Sequence, residues 1–220
     1  MNVAMETLRH TAVILRCGKL DLDGVISSPV ELGRSSPGVV VCHPHPLLGG
    51  DMHHPVVTSI TRALGEEGFF TLRFNFRGVG ESQGSHDNGV AEINDLEAAV
   101  DFLAHWPGVD KKRIGVAGYS FGAMVALSGL QLCKKSKAFA LVSPPGKALD
   151  PPLKLRGNIP LLFVVGTEDA TARAQIIEER IKDLNAGVRS HLVPGANHFW
   201  RGREVEVARI VSQFFEEALA

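Results

Sequence analysis

The stretch Arg113-Ile-Gly-Val-Ala-Gly-Tyr-Ser-Phe-Gly-Ala-Met-Val-Ala-Leu127 narrows the possible folds more than any other part of the chain. A short apolar run, Ile114 to Ala117, reads as a buried strand, Gly118-Tyr119-Ser120-Phe121-Gly122 follows it, and an apolar helical run begins at once. A G-x-S-x-G pentapeptide between strand and helix demands a very tight turn. Its serine is forced into a strained backbone conformation, and only glycine fits two residues to either side. Such a turn lifts Ser120 to the carboxyl end of the strand, above the amino end of a helix, and aims the Phe121 amide where an oxyanion would form. The competing reading is a serine that only caps the helix. A base and an acid downstream, in the order Ser, Asp or Glu, His, decide between the two.

Both are present. Ile159 to Gly166 is a strongly apolar strand ending in Thr167-Glu168-Asp169. Asp169 is the better acid, because the shorter side chain sits deeper in a Gly-x-x-Asp turn. Glu168 is the reserve, and either could instead cap a helix from Ala170 to Leu184. Arg189 to Val193 reads as the last strand, followed by Pro194-Gly-Ala-Asn-His198-Phe-Trp200. His198 completes the set as the base, in the order the elbow requires.

Gly38 to Cys42 is short and apolar enough for a buried parallel strand. His43-Pro-His-Pro-Leu-Leu-Gly-Gly-Asp-Met-His-His-Pro55 leaves it at the sheet edge where open α/β sheets place their sites. Pro44 and Pro46 remove two amide donors and leave the amide of His45 between them, a second oxyanion donor. The alternative is a metal site on His43, His45, Asp51, His53 and His54. It needs further ligands at later strand ends, where the acid and the base are already accounted for by Ser120. His53 and His54 read as structural groups at a helix start.

Elsewhere, Thr11 to Arg16 and Leu20 to Ser27 suggest a hairpin, with Asp21 and Asp23 on the solvated face of a half-exposed edge strand. A helix from Pro55 to Gly68 and a strand from Phe69 to Phe74 precede Asn75-Phe-Arg-Gly-Val-Gly-Glu-Ser82. That stretch lacks the full pattern of a phosphate loop and reads as a structural loop, with Arg77 tying neighbouring backbone together. Asn88 to Trp106 is helical, with Val90, Ile93, Leu96, Ala99, Val100 and Leu103 on one stripe. The elbow helix runs to about Cys133, where Lys134, Lys135 and Lys137 oppose the helix dipole. Lys137 to Val142 is another strand, and Ser143 to Asn158 is too short for a helical cap, so the site is expected to be open. Gly146 to Arg156 can fold over one rim. The closing helix, Arg203 to Leu219, carries Val205, Val207, Ala208, Ile210, Val211, Phe214 and Phe215 for packing.

Composition narrows the class. With 220 residues and 45% hydrophobic content, one compact α/β domain over residues 1–220 is the default. Lys and Arg number 23 against 24 Asp and Glu, which argues against binding nucleic acid or a membrane surface. Cys17, Cys42 and Cys133 show no paired spacing and read as buried free thiols in a reducing compartment. The stretch Met1 to His10 lacks a secretory pattern and no run approaches a membrane span, so the expected location is cytoplasmic.

Five motifs together resemble the α/β-hydrolase superfamily over nearly the whole chain: Gly118 to Gly122, His43-Pro-His-Pro46, Asn75 to Ser82, Gly166-Thr-Glu-Asp169 and Gly195-Ala-Asn-His198. His-Pro-His-Pro followed by Leu-Leu-Gly-Gly looks like the small lid-less hydrolases related to dienelactone hydrolases. Those enzymes use a cysteine nucleophile, and Ser120 in its place favours an ordinary esterase. The resemblance implies a mostly parallel, twisted sheet of seven or eight strands with helices on both faces and no cap domain. It also implies a Ser120, His198 and Asp169 triad, oxyanion amides from His45 and Phe121, a small-molecule acyl substrate, and neither cofactor nor metal. Phe76, Phe121, Met124, Phe199 and Trp200 are candidate pocket walls, with core packing as their other role. A thioesterase, lactonase or peptidase would use the same triad, and a non-catalytic binding protein could keep the fold.

Overall fold

The computed structural model describes residues 8–30, 35–150, 155, 157–182, 184 and 187–220. Most of the stretch Met1 to His10, and residues 31–34 ahead of the strand that ends at Cys42, lie outside them. The two β-rich segments pair as an antiparallel hairpin, β1 (Leu8–Cys17) and β2 (Leu20–Pro29). Six further strands complete one sheet: β3 (Ser36–Cys42), β4 (Phe70–Phe74), β5 (Val109–Tyr119), β6 (Ser136–Val142), β7 (Leu161–Gly166) and β8 (Val188–Val193). Their order is β1-β2-β4-β3-β5-β6-β7-β8. β3 to β8 run parallel, and the hairpin joins antiparallel through β2 and β4.

The apolar runs of the central strands are explained by burial on both faces. Successive side chains of a strand point to opposite sides. Val39 and Val41 therefore enter one apolar cluster, with α1 (Pro55–Glu66) and α5 (Glu204–Ala218), and Val40 and Cys42 enter the other. The second cluster packs under α2 (Glu92–Ala104), α3 (Phe121–Ser128) and α4 (Ala174–Ile181). Val207, Ala208, Val211, Phe214 and Phe215 form the buried stripe of α5. Each large side chain of such a stripe contributes roughly 1.5–3 kcal/mol when fully buried. Phe215 lies directly on Gly115 of β5, where a Cβ would collide with its ring.

Several expectations change. β1, not β2, is the sheet edge, because β2 also pairs with β4. Asp23 is consequently engaged: its carboxylate accepts from Ser82 Oγ at 2.6 Å and Asn75 Nδ2 at 3.1 Å, which pins the loop after β4. Arg77 ties that loop to a side chain rather than to backbone, through the buried carboxylate of Asp95. α2 starts at Glu92, so Val90 falls in the preceding turn and is exposed. α3 stops at Ser128 and continues as a 3-10 turn, Gly129–Gln131. Lys134 and Lys135 thus lie beyond the helix end, and Lys135 pairs with Asp101 at 2.8 Å. Val205 sits in the first turn of α5 facing solvent.

Between β6 and β7 the described residues form only a short 3-10 helix, Gly146–Leu149. Residues 151–154 and 156 of the expected rim segment lie outside the described set. Among the described residues, no helix is long and apolar enough to cross a membrane.

Candidate active site

The elbow is built as its glycines require. Ser120 takes φ 53° and ψ −110°, in the left-handed half of backbone space that a serine rarely occupies. A Cβ on Gly118 would lie 2.5 Å from the Gly122 backbone, and one on Gly122 would lie 2.5 Å from the Cys42 carbonyl oxygen. The first glycine lets the turn close on itself. The second lets it close against the end of β3, which brings the His43–His45 turn beside Ser120.

Four adjacent strand ends converge here, those of β5, β6, β7 and β8. Ser120 Oγ is 3.0 Å from His198 Nε2, and His198 Nδ1 is 2.9 and 3.0 Å from the two oxygens of Asp169. An ionised carboxylate can only accept, so Nδ1 carries the ring proton and Nε2 is left to accept from the serine hydroxyl. Burial pushes the Asp169 carboxyl up, but hydrogen bonds from His198, the Ala172 amide and the Ser143 hydroxyl outweigh it and hold it below the usual carboxylate range. Asp169 also caps its own turn, accepting from the amides of Thr171 at 2.9 Å and Ala172 at 2.7 Å. The contact to His198 and the turn-forming bonds coexist on one carboxylate. Glu168, the reserve acid, points to solvent.

The two loops that carry Asp169 and His198 are locked together. The Glu168 amide donates to the Ala196 carbonyl at 2.9 Å, and the Gly195 amide donates to Thr167 Oγ1 at 2.9 Å. A Cβ on Gly166 would collide with that same Ala196 carbonyl. From the elbow, the Tyr119 hydroxyl donates to the His198 carbonyl at 2.7 Å.

Residues 22–212 match the Dienelactone hydrolase family. The chain belongs to that family. Its structure is similar to an α/β serine hydrolase without lid from Xanthomonas campestris, with TM-score 0.84 and 28% identity over 96% of this chain and 95% of that one. An α/β serine hydrolase homologue from Coxiella burnetii gives TM-score 0.79 and 32% identity, covering 92% of this chain and 96% of that one. An uncharacterized protein of Rickettsia prowazekii is 32% identical over 82% of this chain and 79% of its own length. The fold is thus the α/β-hydrolase fold, and the elbow, the acid strand and the histidine loop lie where this dienelactone hydrolase family member has its sheet edge.

The histidine-rich turn of the hydrolase is spread over separate structural tasks. His54 Nδ1 accepts from the Val56 amide at 3.2 Å and caps α1, while His53 Nδ1 is 3.1 Å from Arg73 Nη1. His45 Nδ1 accepts from the Leu47 amide at 3.2 Å, and its ring packs 5.1 Å from that of Phe121. His43 donates from Nδ1 to the Pro44 carbonyl at 2.7 Å and accepts at Nε2 from the Phe76 amide at 3.1 Å. Among the described residues no three His, Cys, Asp or Glu side chains converge as metal ligands.

Burial drives the His43 pKa down to about 4, against the opposing hydrogen bond to Pro44. Between pH 6.5 and about 4 the unfolded state takes up a proton at this position and the folded state does not. His43 therefore contributes its full stabilisation above pH 6.5 and loses it progressively as pH falls to about 4, a loss of about 3 kcal/mol. In urea unfolding, the stability gap between wild type and His43→Gln is expected to close by that amount over this window. A gap independent of pH would show that His43 is not held neutral.

Three of the expected pocket walls belong to the core instead, Phe121 among them at 2% exposed. Phe76 is fully buried against Phe74 and Phe121, and Trp200 is 1% exposed with its indole N–H bonded to Ser143. Met124 is half-buried and Phe199 is 62% exposed, its ring edge-on to His198. Three polar side chains near the site carry no signal in the sequence. Ser143 is one. The others are Glu92, whose buried carboxylate accepts from the amides of Asp87 and Gly89, and His86, whose ring packs 5.2 Å from both His45 and Phe121. His86 Nδ1 lies 2.9 Å from Glu92 Oε1, but without the alignment of a hydrogen bond.

Proposed function

We propose that this hydrolase is a serine carboxylesterase acting on small or short-chain acyl esters. The observation that carries the reading is the hydrogen-bonded line from Ser120 through His198 to Asp169, with its polarity set by the carboxylate. Ser120 Oγ attacks the acyl carbonyl carbon as His198 Nε2 takes its proton, and Asp169 orients the ring and stabilises the imidazolium. The tetrahedral oxyanion is bound by the amides of Phe121 and His45, where losing one donor costs about 10²–10³ in rate. Collapse expels the alcohol, which receives the proton from His198. Water then attacks the acyl-enzyme by the same path, and the acid product leaves with Ser120 restored.

A short acyl group suits the walls. Met124 and the exposed Phe199 offer little enclosed apolar surface, and the described residues between β6 and β7 add only one short helix. Of the two related solved structures, one is named as a serine hydrolase without lid and the other as a serine hydrolase homologue.

The test is hydrolysis of p-nitrophenyl acetate, butyrate and octanoate, with and without chelator, alongside labelling by a fluorophosphonate. The expected result is chelator-insensitive turnover that falls with chain length, and a phosphonyl adduct mapped by mass spectrometry to Ser120. Wild-type protein that neither turns over these esters nor takes up the label would overturn the reading. Activity abolished by chelator would replace it with metal-assisted hydrolysis.

A further inference from the structure

Each of the four strand ends at the site leads into one of its polar side chains. β5 leads into Ser120, β7 into Asp169 and β8 into His198, and the residue that leaves β6, between the nucleophile and the acid, is Ser143. The ladder steps across at this edge: the Ser120 amide donates to the Val142 carbonyl at 2.9 Å, the Ser143 amide to Val164 at 2.8 Å, and the Thr167 amide to Val193 at 3.0 Å. Ser143 is fully buried and, like the elbow serine, has a positive φ, 46°. Its partner Trp200, just beyond His198, is at φ 56°. Among the described residues only four non-glycine positions have positive φ, and three of them are Ser120, Ser143 and Trp200. For a bulky residue this conformation is an outlier that persists only where its surroundings impose it.

The chemistry of the contacts gives that strain a purpose. Trp200 Nε1 can only donate, and it donates to Ser143 Oγ at 3.0 Å. The Asp169 carboxylate can only accept, and it accepts a hydrogen bond from the Ser143 hydroxyl. Each hydrogen bond thus has one permitted direction: the indole donates to Ser143, Ser143 donates to the carboxylate, and the imidazole donates to the same carboxylate from the other side.

We propose that Ser143, held by the indole of Trp200, is a positioning residue that fixes the Asp169 carboxylate so that His198 presents Nε2 to Ser120. The inference rests on the serine-hydrolase reading and adds to it a side chain outside the triad. The Asp169 carboxylate has donors on three sides, the Thr171 and Ala172 amides, His198 and Ser143. Without the hydroxyl, one side of the carboxylate is unsatisfied inside the protein and free to swing. Its charge is then less shared, so the imidazolium of the Asp169–His198 pair becomes easier to form.

The deciding variant is Ser143→Gly. Glycine adopts φ 46° without strain, so this variant is expected to melt no lower than about 2 °C beneath wild type while losing the hydroxyl. Expected are a kcat for p-nitrophenyl acetate about tenfold lower, KM within about twofold, and an acidic limb of kcat/KM moved to higher pH. The second-order rate of fluorophosphonate labelling at Ser120 should fall in parallel. Trp200→Phe, which keeps the ring and removes the N–H, should shift the same readouts less. Wild-type kcat, labelling rate and pH profile in Ser143→Gly, with labelling of Ser120 intact, would overturn this inference alone. Turnover that survives Ser120→Ala, or wild type that takes no label, would overturn it together with the serine-hydrolase reading.

Discussion

Ser120→Ala is expected to lower kcat on p-nitrophenyl acetate about 10⁶-fold, and Asp169→Asn about 10⁴-fold, with both proteins folded. Alanine at φ 53° is no more strained than serine, and Ser120 donates no cap to α3, so the first change removes the nucleophile and little else. The second acts through the direction of hydrogen bonds. Asp169 Oδ1 already accepts from the amides of Thr171 and Ala172, so an asparagine must turn its oxygen toward them and its NH₂ toward His198. That NH₂ forces Nδ1 to accept, which places the ring proton on Nε2, where it faces Ser120 Oγ at 3.0 Å and blocks proton removal. Because the residues act as one unit, the double variant should be no slower than Ser120→Ala. The measurement is single-turnover kinetics with urea unfolding as a control for the fold. Asp169→Asn within tenfold of wild type would remove Asp169 as the acid, and the exposed Glu168 offers no structural replacement.

What could be read from the chain alone divides by how local the cause is. The G-x-S-x-G elbow was legible because its glycines answer to clashes within five residues and with the adjoining strand end, and the structure places those clashes at Gly118 and Gly122. Asp169 follows a strand, β7, whose burial on both faces writes a continuous apolar run, whereas β8 before His198 is a half-exposed edge strand. Order along the chain then sufficed to put Asp169 and His198 together. Ser143 gave no such sign, since its partners come from the ends of β7 and β8 and its positive φ leaves no trace in residue type. Val90 reads as part of a helical stripe because periodicity cannot see that Glu92 bonds back to the amides of Asp87 and Gly89 and fixes the helix start. β2 looked like an edge because alternation reports one solvated face and says nothing of an antiparallel neighbour, β4, that is remote in sequence. Phe76, Phe121 and Trp200 pack in the core for a related reason: an aromatic in a loop or turn at the sheet edge can face either the site or the core, and residue type does not say which.

Asp95→Ala is expected to cost about 3–5 kcal/mol, the largest loss of stability from a single side chain at the rear of the site. Asp95 is fully buried on α2, and its carboxylate takes the Arg77 amide at 3.1 Å, Nε at 3.0 and 3.1 Å and Nη2 at 2.6 Å. Arg77 keeps only 15% of its side chain exposed, so truncating its partner strands a guanidinium that cannot reach water without moving the loop. Near 200 residues such a loss corresponds to a melting temperature roughly 10 °C lower. Removing both charges with Arg77→Met and Asp95→Leu should restore most of it, because the cost lies in the unpaired ion and not in the missing pair. The loop also connects to the site: Phe76, next to Arg77, donates its amide to His43 Nε2 and so braces the turn that presents His45. Asp95→Ala should therefore lower kcat severalfold with KM little changed, and the double variant should recover stability more completely than rate. Urea unfolding across the four-protein cycle gives the coupling energy directly. A cost below about 1 kcal/mol for Asp95→Ala would place the pair with solvent-exposed salt bridges and end its claim to hold the loop.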